Sequence, residues 1–373
     1  TQRLLPSIMG VKSKGEKQKD EAVKSSLEWS YNSGKYFQQI ALGYFYDFLN
    51  YIDTTASINS AVKVNSLKGY YKGKYYFTDS SQLRLSLNTD KTRAISSGFD
   101  SQKYQVRDAI YLEYYQLLQN GLSYSVALRK EFITDVATPI IPSIALKWSK
   151  WKNHQLFISG AQNFRAPTFN DLYWSPGGNP NLVPENGLMV ELGYLYQTKK
   201  HKLGITNYYS LIYNWIQWLP SHKGYWEPQN IKEVESYGVE FSGERSVRVK
   251  DVEVQLNGSY NFILSQNKES SVVGDASVGK QLIYVPKNTA LISIGVNYKR
   301  LLLAYSQSYN GSVFIDAANQ SYMPYYAPAN LRLDWSVSKV DVKNLFSLGV
   351  AIDNLYDEEY QVVANRPLPG RFY

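Results

Sequence analysis

The chain has 373 residues, no cysteine, 40 Lys and Arg against 32 Asp and Glu, and an aromatic content of 15% that includes 33 tyrosines. The missing cysteine excludes disulfides, thiolate metal sites and cysteine nucleophiles. The net charge of +8 is spread along the chain, with no zinc-finger, helical or RNP-type motif behind it, so no nucleic-acid partner is expected.

At the N-terminus, TQRLLPSIMG lacks the apolar segment of a secretory signal. Either the chain is not exported or its start has been removed. Next comes a basic stretch, KSKGEKQK (12–19), which reads as a solvated loop able to meet lipopolysaccharide phosphates if it lies at an outer leaflet.

From there the dominant signal is alternation with a period of two, in chain order IALGYFYDF (40–48), LRLSLN (83–88), VELGYLY (190–196), VEVQLNGSYNF (252–262), ISIGVNY (292–298), LRLDWSV (331–337) and LGVAIDN (348–354). In LRLDWSV, Leu331, Leu333, Trp335 and Val337 share one face, opposite Arg332, Asp334 and Ser336. Helical periodicity is nowhere sustained, so the class is all-β.

The links between these segments alternate in length. Short turns fall at 32–35, 78–82, 120–121, 152–154, 198–201, 248–251 and 299–300. Longer stretches fall near 51–62, 92–104, 132–142, 163–187, 218–232, 265–288 and 311–328. A meander of this kind has its tight turns at one end and its long loops at the other. Strands of about ten residues with sorted loops are the pattern of an antiparallel transmembrane β-barrel, whose alternation keeps the mean hydropathy near that of a soluble chain. A soluble sandwich would have shorter strands, and a propeller would repeat every 40–50 residues or so.

Aromatics gather at strand ends, as in YYKGKYYF (70–77), Tyr111 with Tyr114 and Tyr115, YYSLIYNWIQW (208–218) and YSQSYN (305–310), where an interfacial girdle belongs. Opposite the apolar positions stand Gln, Asn, Ser and Lys. A dry interior would leave such groups unsatisfied at about 1–3 kcal/mol each, so the apolar face is expected outside and the polar face in a wet lumen.

Nothing supports catalysis or a metal site. The three histidines, His154, His201 and His222, are far apart, and no nucleophile-elbow, zincin or phosphate-cradling motif occurs. Glu358 and Glu359 are expected at a strand end in solvent.

The candidate site is the long stretch NFRAPTFNDLYWSPGGNPNLVPENG (163–187), punctuated by proline, together with the stretch around 225–230. Tyr173, Trp174, Asn179 and Asn181 in the first, and Tyr225, Trp226, Gln229 and Asn230 in the second, combine amphipathic rings with amides, which suits a large, polar-rimmed organic ligand. The competing reading is a brace, in which Pro167, Pro180 and Pro184 stiffen the loop and Arg165 ties it to the barrel rim, with Glu185 closing the motif.

The segment FRAPTFNDLYW…GNPNLVPENG followed by VELGYLY resembles the barrel signature of TonB-dependent outer-membrane receptors. ESYGVEFSGE (235–244) and NLYDEEYQ…RPLPGR (354–371) resemble later elements of that family, in the same order. More loosely, LLPSIMGVKSKGEKQKDEAVKSSLEW (4–29) resembles the approach to a mid-barrel strand in the cobalamin-receptor branch.

The resemblance implies a bacterial outer-membrane transporter with a 22-stranded barrel filled by a plug. About 16 strands are expected here, so residues 1–373 are read as a partial barrel domain, the plug, early strands and last strand lying elsewhere. Glu191, Glu240, Arg332 and Asp334 would line the lumen and face the plug. The implied cargo is cobalamin or another corrinoid, with a ferric siderophore as the alternative and no resident cofactor. The implied partners are the TonB–ExbB–ExbD complex, acting through an N-terminal segment outside this chain, outer-membrane lipid and lipopolysaccharide, and a surface-exposed lipoprotein. A passive porin and a soluble β-rich binding module are the rival classes.

Overall fold

The computed structural model describes residues 2–4, 17–54, 58–270, 274–336 and 346–373. The first strands are β1 (Gln2–Leu4), β2 (Lys17–Ser33), β3 (Tyr36–Asp53), β4 (Ile58–Thr78), β5 (Ser81–Ser96), β6 (Lys103–Leu117), β7 (Leu122–Ile133), β8 (Ile140–Trp148) and β9 (His154–Arg165). After a short helix, α1 (Phe169–Tyr173), come β10 (Glu185–Gln197), β11 (His201–Pro220), β12 (Trp226–Val249), β13 (Val252–Glu269), β14 (Asn288–Tyr298) and β15 (Leu301–Asn310). The remaining strands are β16 (Val313–Phe314), β17 (Tyr322–Met323), β18 (Ala329–Ser336), β19 (Ser347–Ile352), β20 (Gln361–Val363) and β21 (Arg366–Pro367).

Among the described residues seventeen strands form one antiparallel sheet in which each pairs with its neighbour in sequence, β15 passing directly to β18. β16 with β17, and β20 with β21, form two small separate ribbons. The sheet is the expected meander. Its registers connect consecutive strands, and among the described residues none joins β1 or β2 to β19.

The tight turns collect at one end. Gly34, Asn120, Asn153, Lys250 and Lys299 supply their positive φ angles, between 51° and 72°. Such left-handed residues let a short connection follow the right-handed strand twist. At the opposite end lie the links 97–102, 134–139, 166–184, 221–225, 270–287 and 311–328, with residues 353–373 after β19.

Several stretches expected as loops are strand. β3 runs to Asp53 and β4 starts at Ile58, while β11 runs to Pro220 and β12 starts at Trp226. The 218–232 stretch is therefore a projecting hairpin, Trp218 opposite Pro228 and Gln217 opposite Gln229. Its strands look unlike spanning strands because they carry polar residues on both faces. Lys17–Lys19, expected in a basic loop, begin β2, where Lys19 meets Glu21 at 2.6 Å; residues 12–16 lie outside the described part. Val337 does too, and the segment holding Tyr360 follows β19 outside the sheet.

The alternation sorts chemistry by face. One face carries Leu27 (72% exposed), Leu67 (55%) and Val350 (65%), with Leu87 paired to Ile110 and Leu303 to Leu333. The other carries a chain of charges across β5, β6 and β7. Arg84 binds Glu113 at 2.7 Å, Tyr111 donates to Glu113 at 2.8 Å, and the buried Glu131 holds Arg129 at 2.8 Å and Arg107 at 2.7 Å. Elsewhere on that face Ser159 donates to Glu191, and Arg332 pairs with Asp334.

Near the tight-turn end a run of five rings from four strands, Tyr36 of β3, Tyr75 and Phe77 of β4, Tyr114 of β6 and Tyr124 of β7, has successive centroids 4.8–6.3 Å apart. Among the described residues the buried apolar side chains are few and scattered and form no compact core. The molecule's accessible surface is 23570 Å², against roughly 15,000 Å² for a globular chain of this mass. The excess is the second face of a wide curved sheet.

Candidate functional site

The 166–184 loop is held by two buried carboxylates. Thr168 caps α1: its hydroxyl accepts from the Asp171 N–H at 3.2 Å and its own N–H donates to Asp171 Oδ2 at 2.9 Å, a reciprocal capping box. The second Asp171 oxygen accepts from Trp218 Nε1 at 2.9 Å, linking α1 to the β11–β12 hairpin. Glu185, at the start of β10, accepts from the Ile216 N–H at 2.7 Å and from Arg165 Nη2. Arg165 reaches back to Asp171 at 3.7 Å and donates to the Ile216 carbonyl at 3.4 Å.

Asp171 and Glu185 are 6% and 5% exposed, so both depend on these donors to offset their desolvation. The guanidinium fork at Arg165 matches this arrangement of carboxylates and carbonyl.

Of the prolines placed in the motif, Pro167 is buried, Pro184 is half-buried and Pro180 is exposed. Gly177, with φ +121°, lies against the Trp226 carbonyl, where a Cβ would collide, so close approach of the two backbones requires glycine. At its other side the loop reaches across the shorter β7 and β8 to the link after β5. Ser175 N–H donates to the Gly98 carbonyl at 2.7 Å, and the Trp174 ring stands over Gly98. Tyr173 meets Phe99 edge-on at 6.4 Å and lies under the Lys103 ammonium at 4.4 Å.

The sequence-predicted binding residues thus fall into two groups. Asn179 and Asn230 commit their amides to backbone. Asn179 donates to the Pro228 carbonyl at 3.3 Å and accepts from the Asn181 N–H at 3.0 Å. Asn230 accepts from the Val183 N–H and donates to the carbonyls of Val183 and Asn214 at 3.0 and 2.7 Å. Tyr173 and Trp174 have ring faces covered within the protein. Trp226, on β12 and not in a loop, is 46% exposed, and Tyr225 beside it is half-buried under Lys223.

The C-terminal motif is a second clamp on the same end. Glu358, expected in solvent at a strand end, is half-buried in the segment after β19, and both its oxygens accept from the Ala327 N–H, at 2.9 and 3.1 Å. The buried Asn354 accepts from the Glu358 N–H and donates to its carbonyl, while Tyr326 and Tyr360 stack at 4.8 Å. Between the clamps, Asn319 exchanges two hydrogen bonds with the Gln281 backbone at 2.9 and 3.0 Å, tying the 311–328 and 270–287 loops. Backbone N–H donors from Gln320 and Ser321 hold the Asp316 carboxyl below the usual carboxylate range.

Asp171 and Trp218 were missed at the sequence level. The Thr-x-x-Asp spacing of 168–171 was a readable cap signal, whereas nothing local points to a donor 47 residues away.

A polar-lined, lipid-faced meander with aromatic rings at its turn end and interlocked long loops at the other is a membrane β-barrel of the receptor type. The chain belongs to the TonB-dependent receptor family: the family model described as "TonB dependent receptor-like, beta-barrel" matches residues 15–355, and its place is the bacterial outer membrane. It is 25% identical over 309 residues to the vitamin B12 transporter BtuB of Photobacterium profundum, covering 82% of this chain and 48% of that protein. It is 24% identical over 220 residues to BtuB of Vibrio vulnificus, covering 59% and 32%. This chain therefore spans about half the length, or less, of these relatives.

In fold it resembles a ferric enterobactin receptor (PfeA) mutant of Pseudomonas aeruginosa, with a TM-score of 0.72 at 17% identity over 95% of this chain and 60% of that one. It also resembles the siderophore receptor PiuA of Acinetobacter baumannii, with a TM-score of 0.74 at 14% identity over 95% and 64%.

Proposed function

We propose that this barrel is part of a TonB-dependent active transporter whose cargo is cobalamin or a related corrinoid, bound at the long-loop end. The observation that supports the cargo is the sequence similarity to vitamin B12 transporters across 82% of the chain. The structural likenesses to siderophore receptors carry the fold alone. In this reading the barrel performs no chemistry. The charged inner face, with its Arg84–Glu113 and Arg107–Glu131 pairs, meets a plug belonging to the longer receptor, and a TonB–ExbB–ExbD complex drives the plug. Lipopolysaccharide surrounds the outer rim, and a surface lipoprotein is a further partner for the loops.

Among the aromatic candidates, Trp226 offers the open ring face for stacking, with Tyr225 beside it. Arg165, Asp171, Glu185, Asn179 and Asn230 act as braces.

The test is an equilibrium titration of the full-length receptor in detergent with cyanocobalamin, and separately with ferric enterobactin. Saturable cyanocobalamin binding, weakened in Trp226→Ala, is expected. Binding of ferric enterobactin without cyanocobalamin would replace the cargo by a siderophore. Free passage of small sugars through receptor-loaded liposomes would replace the transporter by a porin.

A further inference from the structure

On the apolar face of β11–β14, toward the tight turns, lies an open groove of about 620 Å³ lined by Tyr194, Leu203, Gly243, Gly258, Tyr260 and Ile292 among others. The registers build it from three rows on one face. Nearest the turns stand His201, Arg245 and Leu256, then Leu203, Gly243, Gly258 and Ile292, then Ile205, Phe241, Tyr260 and Ala290. The Phe241 and Tyr260 rings, 6.3 Å apart, wall the groove on its long-loop side. Its floor is low because the two middle residues of the second row are glycines, directly opposite each other.

Glycine weakens a strand, so an opposed pair calls for a reason. No bulge falls here, since the β12–β13 register shifts at Glu233/Val234, far from the pair. Nor does the fold need the space. A Cβ at Gly238 would strike the Phe262 carbonyl and one at Gly193 the Phe157 ring, whereas one at Gly258 would meet nothing nearer than the Leu291 carbonyl at 3.9 Å. At Gly243 the first contact is Leu203 Cδ2 at 3.4 Å. The missing side chains leave room for a group outside the protein.

The turn side of the groove is basic. Lys199, Lys200, His201 and Arg245 line one hollow there. The neighbouring acids are engaged on the opposite, polar face, Glu244 by Lys202 at 3.1 Å and Glu253 by Gln255 Nε2 at 3.1 Å. Among the described residues no carboxylate pairs with Lys199, Lys200 or Arg245. An arginine on the lipid face of a strand is costly unless it reaches the interface, and its long stem lets it do so. Tight turns of such barrels stand on the periplasmic side, so Arg245 and the two lysines meet the phospholipid headgroups of that leaflet.

We propose that this groove binds one anionic phospholipid of the periplasmic leaflet, with an acyl chain over Gly243 and Gly258 and its phosphate held by Arg245, Lys199 and Lys200. A zwitterionic lipid carries its own cation beside the phosphate and gains less from the cluster. A second copy of the chain packed face to face on the groove would oppose Arg245 with like charge. The site needs only the barrel's place in the outer membrane and is independent of the cargo.

The experiment is native mass spectrometry of the full-length receptor released from detergent micelles doped with dioleoylphosphatidylglycerol or with dioleoylphosphatidylcholine. Wild type is expected to hold the phosphatidylglycerol about tenfold more tightly. Arg245→Gln should reduce that preference about fivefold, the share of one cation near a headgroup. Lys35→Gln, which removes the same charge from the β2–β3 turn outside the groove, should leave it unchanged. Gly258→Leu fills the groove without an internal clash and should weaken both lipids.

Equal retention of the two lipids overturns the site, and so does a loss in Lys35→Gln as large as in Arg245→Gln, which would reduce the selection to the general basicity of the turn end. Unchanged retention in Gly258→Leu overturns the groove as the seat of the acyl chain. A dimer abolished by Gly258→Leu would assign the groove to a second copy in place of the lipid.

Discussion

Glu185 is the residue on which the signature loop depends, because two strands and the loop meet at its carboxylate. It holds Arg165 from β9 and the Ile216 N–H from β11, while sitting at the first position of β10. Glu185→Ala leaves a buried N–H and a guanidinium without their acceptor and should destabilise the loop by about 1–3 kcal/mol. The expected outcome is faster proteolysis within 166–184, with the barrel's heat-modifiable migration on a gel retained. Cleavage at the wild-type rate would show that the carboxylate does not hold the loop.

Residue by residue, the sequence was legible at Arg165, an arginine in a polar loop that reads as a tie and contacts Glu185, Asp171 and the Ile216 carbonyl. It was not legible for the amides. Asn179 and Asn230 have the same chemistry whether they face a ligand or a carbonyl, and only the fold brings the Pro228 and Val183 carbonyls to them. Trp174 looked like a cargo contact because nothing nearby in the sequence reveals that Gly98 lies beneath it.

At the scale of elements, the spanning strands were readable because lipid on one side and water on the other enforce a strict period of two. Beyond the bilayer that asymmetry disappears, so the β11–β12 arm, though continuous strand, reads as a loop. The same holds for the 311–328 link, whose order comes from local polar bonds. Asp316 accepts from the backbone N–H groups of Gln320 and Ser321, and this lowers its pKa.

A lowered folded value means the unfolded link binds protons more readily. The contribution is therefore complete above the ordinary aspartate value of 3.8 and is lost as pH falls through the lower folded value. Hydrogen exchange of the Gln320 and Ser321 amides should accelerate over that acid range, relative to strand amides, after correction for intrinsic exchange rates. In Asp316→Asn the protection should be weaker at neutral pH and free of this titration. A wild-type protection profile without an acid transition would remove Asp316 from the account of this link.

The whole molecule is set by the bilayer, and the two faces of one strand give its depth. In β5, Leu87 lies well along the strand from the tight link at 79–80, facing Ile110, with 41% of its surface exposed. Ile95 lies on the same face near the long-loop end, 39% exposed. Equal exposure in water would make the two positions equivalent. In a membrane they differ: at about 3.3 Å per residue and a tilt near 40°, Leu87 falls roughly 18 Å from the turn, within an apolar band about 25 Å tall, and Ile95 falls beyond it.

An arginine at Leu87 should therefore cost about 2–4 kcal/mol of folding stability in lipid, and one at Ile95 about 0–1 kcal/mol. The measurement is denaturant-dependent folding of the full-length receptor into lipid vesicles, followed by tryptophan fluorescence. Similar costs at the two sites would mean that the bilayer does not sit where the apolar face and the ring of Tyr36, Tyr75, Phe77, Tyr114 and Tyr124 place it.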